Sequence, residues 1–140
     1  MEDPYDKSFR QGLDAFHKDL WANPERVSRL EPSKAIEVLA DAVDLACRSQ
    51  NMRNIDLGRK FVMAAPRAWV LEHIEWVAEP LVQLNDDWEY RRLLELYEGL
   101  DAGLLLRLEK RGLQNSDVDI RDAGSDFIER DQARGSTERS

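Results

Sequence analysis

Trp69, His73 and Trp76 fall at steps of four and three, which on a helix puts two indoles and one imidazole on a single face. Such a row is the raw material of an aromatic cage with a histidine. Tryptophans at this spacing ordinarily fill a core, so burial is the plainer expectation. The chain has two histidines, His17 and His73, and no HExxH, CxxC or clustered Cys/His spacing joins them, so neither a metal nor another cofactor is expected. Cys47, the single cysteine, shares an apolar stripe with Val43 and Ala46. A buried thiol with no adjacent His or run of cations is a small hydrophobe rather than a nucleophile. No residue is assigned a catalytic role, and the expectation is a protein that is not an enzyme.

Acidic residues are the feature with functional promise. Between Glu72 and Asp101 stand nine acids against only Arg91 and Arg92. A later segment adds Asp117, Asp119, Asp122, Asp126 and Glu129. Where successive helices line one face, Glu89, Glu95, Asp119, Asp122 and Asp126 share an acidic surface, which speeds encounter with a basic protein and tunes its specificity. The plain alternative is a solvated face that keeps the protein soluble. The net charge is −8 and the pI about 4.8, which argues against nucleic-acid binding because phosphate contacts need a Lys/Arg surface.

The remaining composition narrows the setting. In 140 residues, 42% hydrophobic and 34% charged, there is enough apolar material for a real core under a well-solvated surface. One cysteine excludes an internal disulfide and fits a reducing compartment. Met1-Glu2-Asp3-Pro4 is neither basic nor apolar, so no signal peptide is read there. No uncharged apolar stretch approaches the ~20 residues of a membrane helix. A cytoplasmic location without membrane contact is expected.

The elements that would position these residues are helices. Tyr5, Phe9, Leu13, Phe16 and Leu20 draw one apolar face, and Asn23-Pro24 ends that helix. Pro32 or Ser33 opens the next, with Ile36, Leu39, Ala40, Val43, Ala46 and Cys47 on its stripe. Residues 49–54 read as a turn and Asn54 as the cap of a helix to about Ala64. Pro66 suits the first turn of a helix carrying Trp69, Val70, His73, Ile74 and Val77 inward, and Pro80 should kink or break it. Asp86 or Asp87 starts a helix marked by Trp88, Tyr90, Arg91, Leu94 and Tyr97. Asp101 caps one through Leu113, and Ser116 caps the last, to Arg130. Residues 131–140 hold no large apolar side chain and read as a flexible tail.

A pattern recurs 66 residues apart: Asp56-Leu57-Gly58-Arg59-Lys60-Phe61-Val62 matches Asp122-Ala123-Gly124-Ser125-Asp126-Phe127-Ile128 at Asp, Gly, Phe and the β-branched end. Leu39 likewise falls on Leu105, and Asn51 on Asp117. A fixed period is the signature of stacked helical units, each too small to bury its apolar face alone. Gly58 and Gly124 stand mid-helix, where glycine costs about 1 kcal/mol relative to alanine, so their shared placement predicts close helix–helix approach. The expected fold is therefore all-α, a short α-solenoid of about three antiparallel helix pairs. The pairs are 33–64, 66–98 and 101–130, and residues 1–22 form a capping helix within a single domain, 1–130.

Asp117-Val118-Asp119-Ile120-Arg121-Asp122-Ala123-Gly124 resembles the second-helix signature of HEAT and HEAT-like repeats, an Asp at the helix start, an apolar residue, then Arg before small residues. The family's Asp and Arg fall on Asp117 and Arg121, and in the middle unit on Asp87 and Arg91. In the first unit Asn51 and Ile55 stand there instead. The resemblance covers about residues 33–130 and implies an α-solenoid whose exposed helix faces bind protein. HEAT-like folds also serve in base repair and lyase chemistry, so a nucleic-acid protein and an enzyme on this scaffold are the alternatives. The expectation is a non-enzymatic interaction module binding a basic protein through its acidic face, in narrower form a bacterial immunity or inhibitor protein. It is expected to be a monomer or weak dimer.

Overall fold

The computed structural model describes Leu20, residues 22–82 and residues 86–138, the last eight of these by backbone alone. The expected capping helix, 1–22, lies almost wholly outside the described residues. Among the described residues the fold is all-helical, with no strand, and no helix is long and apolar enough to cross a membrane. The chain divides after Val82 into two compact units. The 3-10 helix Pro24–Arg29 and helices α1 (Pro32–Arg48), α2 (Met52–Ala64) and α3 (Arg67–Leu81) belong to the first. Helices α4 (Asp87–Leu100), α5 (Ala102–Leu113) and α6 (Val118–Glu138) belong to the second. The residues expected to form the middle pair, 66–98, are thus shared between the units, α3 in one and α4 in the other.

In the first unit α1 is the hub, packing on α2, α3 and the 3-10 helix. Pro32 starts it, and Ala35, Val38, Leu39, Ala42, Val43, Leu45, Ala46 and Cys47 are buried along it. The α2 cap is Asn51 rather than Asn54, three residues earlier than expected. The Asn51 side chain accepts a hydrogen bond from the Arg53 N–H at 2.8 Å, and its own N–H donates to Ser49 Oγ at 3.1 Å. Asn54 is instead buried on the second turn. Pro66 holds Ala65 extended, ending α2 and preceding α3. Pro80 sits in the last turn of α3, which stops one residue beyond it.

The second unit packs α5 against both α4 and α6, and α4 against α6. Three aspartates start its helices. Asp86 accepts from Glu89 N–H at 3.1 Å, Asp101 from Leu104 N–H at 3.1 Å, and Asp117 from Asp119 N–H at 2.8 Å. Asp101 does two things at once, since its extended backbone also ends α4. The cap of α6 is Asp117 where Ser116 was expected. Tyr90, Leu93, Leu94, Leu96, Tyr97, Leu104, Leu108 and Ile120 are buried, each contributing on the order of 1.5–3 kcal/mol. α6 runs to Glu138, eight residues past the expected end at Arg130. No proline follows Arg130, and Gln132-Ala133-Arg134 are good helix formers.

The 66-residue offset has a geometric meaning. Asn51 and Asp117 both cap their helices, and seven residues on, Gly58 and Gly124 stand where α2 meets α1 and where α6 meets α5. A Cβ at Gly58 would collide with the Ala42 carbonyl oxygen and come within 2.7 Å of the Ala46 nitrogen. At Gly124 it would lie 3.0 Å from the Glu109 carbonyl oxygen. Phe61 and Phe127, three residues further, are both 3% exposed.

The two contacts differ in tightness, so alanine should separate them. Gly58→Ala meets backbone that cannot rotate away and should destabilise the first unit by about 1–3 kcal/mol. Gly124→Ala meets a borderline contact that about 1 kcal/mol of helix propensity offsets, and should be near neutral. Urea unfolding of both variants checks this; equal effects would contradict the tighter approach at Gly58.

Candidate functional site

Five acids were expected to share a face, and the structure gathers three of them. Asp119, Asp122 and Asp126 lie at i, i+3 and i+7 on α6 and are all exposed. Glu89 and Glu95 are half-buried on α4, six residues apart, a spacing that turns them to different sides of their helix. Glu95 accepts from Arg92 at 3.0 Å, and the Arg92 guanidinium lies 4.0 Å over the Trp88 ring. Asp126 meets Arg91 at 3.4 Å, and Glu98 meets Arg130 at 3.4 Å, so two ion pairs tie α4 to α6. Arg130 also lies 4.6 Å over the Phe127 ring. Arg91, Asp126, Phe127, Glu129 and Arg130 surround a shallow hollow of about 520 Å³.

The arginines counter the lower part of the α6 stripe and leave its upper part negative. Asp119 and Asp122 have no side-chain partner among the described residues, and Val118 beside them is 55% exposed. An apolar side chain held in water next to two carboxylates is an arrangement that a basic, partly apolar surface would cover. The HEAT-like positions serve the helix starts. Asp117 caps α6, Arg121 Nη1 donates to the Asn115 carbonyl at 3.4 Å, and Asp87 is the exposed first residue of α4. Arg91, the fourth, is the partner of Asp126.

The Trp69–His73–Trp76 row is not in the core. α3 buries Val70, Ile74, Val77 and Ala78, and the aromatic row lies round the helix from that stripe. Trp76 is 55% exposed, while Trp69 and His73 are half-buried. The rings lean on one another, with centroids 5.2 Å apart for Trp69–His73 and 5.7 Å for His73–Trp76. Tilted by 57° in the first pair and edge-on at 77° in the second, they form a row along the helix and not the walls of a cage. His73 Nε2 lies 4.0 Å from the exposed Glu72 carboxylate. Among the described residues no three His, Cys, Asp or Glu are grouped to hold a metal ion, and Cys47 is buried.

Two features escaped sequence reasoning. The first is a groove of about 500 Å³ where the 3-10 helix meets α2, with Pro24, Leu57, Phe61 and Ala64 as its apolar lining and Arg53, Asp56 and Lys60 as its charged residues. Its signal was present, since Arg53, Leu57, Lys60 and Phe61 step by four, three and one, but the 3-10 helix that completes it has no periodicity. The second is a polar centre in the second unit. Tyr90 hydroxyl donates to the Leu108 carbonyl at 2.8 Å beside Glu109, which is 1% exposed. The hydroxyl occupies the space that a Cβ at Gly112 would need, and lies 3.3 Å from where one at Gly124 would stand.

The chain matches no protein-family model, and no curated protein or solved structure matches it significantly.

Burial, reinforced by Glu109, holds the Tyr90 phenol above its ordinary 10.0. The folded unit therefore favours the neutral phenol, so the stability it contributes is complete below pH about 10 and declines as pH rises beyond that value. The second unit should lose stability progressively as pH rises above about 10. Tyr90→Phe should cost about 1 kcal/mol at neutral pH, for the lost hydrogen bond, yet show a shallower alkaline loss. Urea unfolding across that pH range tests both signs, and parallel losses in the two proteins would exclude Tyr90 as the cause.

Proposed function

We propose that this chain is a non-enzymatic helical-repeat module, an α-solenoid of HEAT-like organisation, that binds a basic protein through the α6 face. The observation that carries the reading is the surface at the start of α6. There Asp119 and Asp122 are exposed without side-chain partners among the described residues, beside the exposed Val118. The carboxylates attract a cationic partner over a Debye length of about 8 Å at physiological salt, and Val118 supplies apolar contact after encounter. The α4–α6 ion pairs have a supporting role, holding the helix that presents these acids. A bacterial immunity or inhibitor protein acting on a basic toxin is the narrower form of this reading, which the size and charge of the chain suit.

Capture of partners from the native lysate, washed at low and then physiological salt, tests the proposal directly. A basic protein eluting as salt rises is the expected result. Asp119→Lys with Asp122→Lys should slow its association by about tenfold and flatten the salt dependence, with little change in dissociation. An unchanged association rate and salt response would overturn the assignment to α6.

A further inference from the structure

Helix α5 reverses the charge balance of the chain. The whole sequence holds 28 acids against 20 basic residues. Ala102–Leu113 holds Arg107, Lys110 and Arg111 against Glu109 alone, and Glu109 is 1% exposed. The same helix leaves Leu106 46% and Leu113 42% exposed. Packing determines which side is open. On α5, Gly112 gives its space to the Tyr90 hydroxyl of α4, which donates to the Leu108 carbonyl. Leu113, Leu106 and Lys110 follow at about 100°, 120° and 160° round the helix from Gly112, away from Leu108. On α6, Gly124 faces α5, and Asp126 and Arg130 pair with α4. Ile128 and Arg121 lie about 40° and 60° round α6 from Gly124, on the side away from Arg130. The seam between α5 and α6 is therefore covered by α4 on one side and open on the other. We infer that the open side docks an acidic amphipathic helix of another protein, as a fourth helix beside the three of this unit.

Spacing and charge both fit that occupant. Leu106 and Leu113 are seven residues apart, about 10.5 Å along α5, which is the interval at which a helix presents successive core residues to a neighbour. Half-buried Ile128 extends the apolar floor from the α6 side. Lys110 stands on one rim and Arg121 on the other, both exposed. Lys110 has no partner among the described residues, and Arg121 donates to the Asn115 carbonyl, so neither is paired there with a carboxylate. The other two cations of α5 are less open. Arg107 Nη1 and Asp101 Oδ2 both lie within 3.5 Å of where a Cβ at Gly103 would stand, and Arg111 Nε turns back to the Arg107 carbonyl at 3.4 Å. The acids of α6 do not cancel the rims. Asp122 and Glu129 lie about 160° and 140° round from Gly124, nearly opposite the seam, and Asp117 caps the helix start. An apolar floor between two cationic rims matches a helix with leucine-like residues at heptad spacing and carboxylates on its flanks. The net charge of −8 opposes such a partner at long range, but physiological salt screens that repulsion beyond about 8 Å. Recognition then depends on contact at the seam and not on steering. It is separate from the acids at the start of α6, whose proposed partner is basic.

Fluorescence anisotropy with a labelled synthetic peptide of about three heptads tests the inference, leucine at its core positions and glutamate on its flanks. The whole chain at physiological salt should bind it with a Kd of about 100 μM or tighter, and more weakly as salt rises. Bulk charge alone predicts that a chain of −8 repels this peptide, so binding reports the seam. Lys110→Gln with Arg121→Gln should weaken binding about tenfold. Leu106→Ala with Leu113→Ala keeps every charge and should weaken it by a similar factor. All four positions are exposed, and circular dichroism establishes that each variant keeps its helices. No binding at about 1 mM, or a leucine variant that binds like the parent, would overturn the proposal. Two further measurements exclude other occupants. Pelleting of the chain with vesicles of equal phosphatidylglycerol and phosphatidylcholine, lost in both variants, would assign the seam to a membrane surface and overturn it. A sedimentation mass that rises with concentration, again lost in both variants, would assign the seam to a second copy and overturn it as well.

Discussion

Among the described glycines, the closest approach of backbone to backbone is the contact of α2 with α1 at Gly58. Without a side chain there, the helix lies against the Ala42 carbonyl and the Ala46 nitrogen, a separation that even one methyl group prevents. That approach aligns Ile55, Phe61 and Val62 with the alanine-rich face of α1, and so determines which residues of α2 remain outside. Arg53, Asp56 and Lys60 are charged and exposed because the glycine side of the helix faces inward. The groove beside them follows from the same rotation.

The second unit solves the equivalent problem with a larger insert. Gly112 and Gly124 make room for the Tyr90 phenol, whose hydroxyl reaches the Leu108 carbonyl. A buried hydroxyl without an acceptor would cost more than the bond contributes, so this hydrogen bond specifies where the helix carrying Tyr90 packs. The Arg91–Asp126 and Glu98–Arg130 pairs act from outside, where solvent weakens them, and they select orientation more than they add stability. The acids of α6 consequently separate into two groups, those held by arginine and those facing water.

Helical spacing also explains where reading the chain alone misplaced residues. Trp69, His73 and Trp76 obey the same three-and-four rhythm as a core stripe, and the true stripe of α3 is offset from them by a single residue. Periodicity identifies that a face exists, whereas the side covered depends on what packs there. Residue type suits Asn54 to a cap, yet Asn51 has the backbone geometry for it, and Asn54 occupies the position where Ile120 is buried in the second unit. Glu109 follows Leu108 within an apolar stripe, a polar residue at a core position whose partners only folding supplies.

The sequence by itself determined the helical class, the turns at Pro66 and Asp101, and the 66-residue kinship of two helix pairs. These depend on local chemistry: φ restriction at proline, carboxylate capping of free N–H groups, and glycine wherever a neighbour comes too close for a side chain. Tertiary structure alone decided that the chain divides into two compact units after Val82. It also decided that Arg91 and Arg130 counter carboxylates 35 and 32 residues away, and that the 3-10 helix closes a groove over α2. Pairings across such distances depend on the rotation and depth at which helices meet. Those are set by many side chains packing together, and no local spacing encodes them.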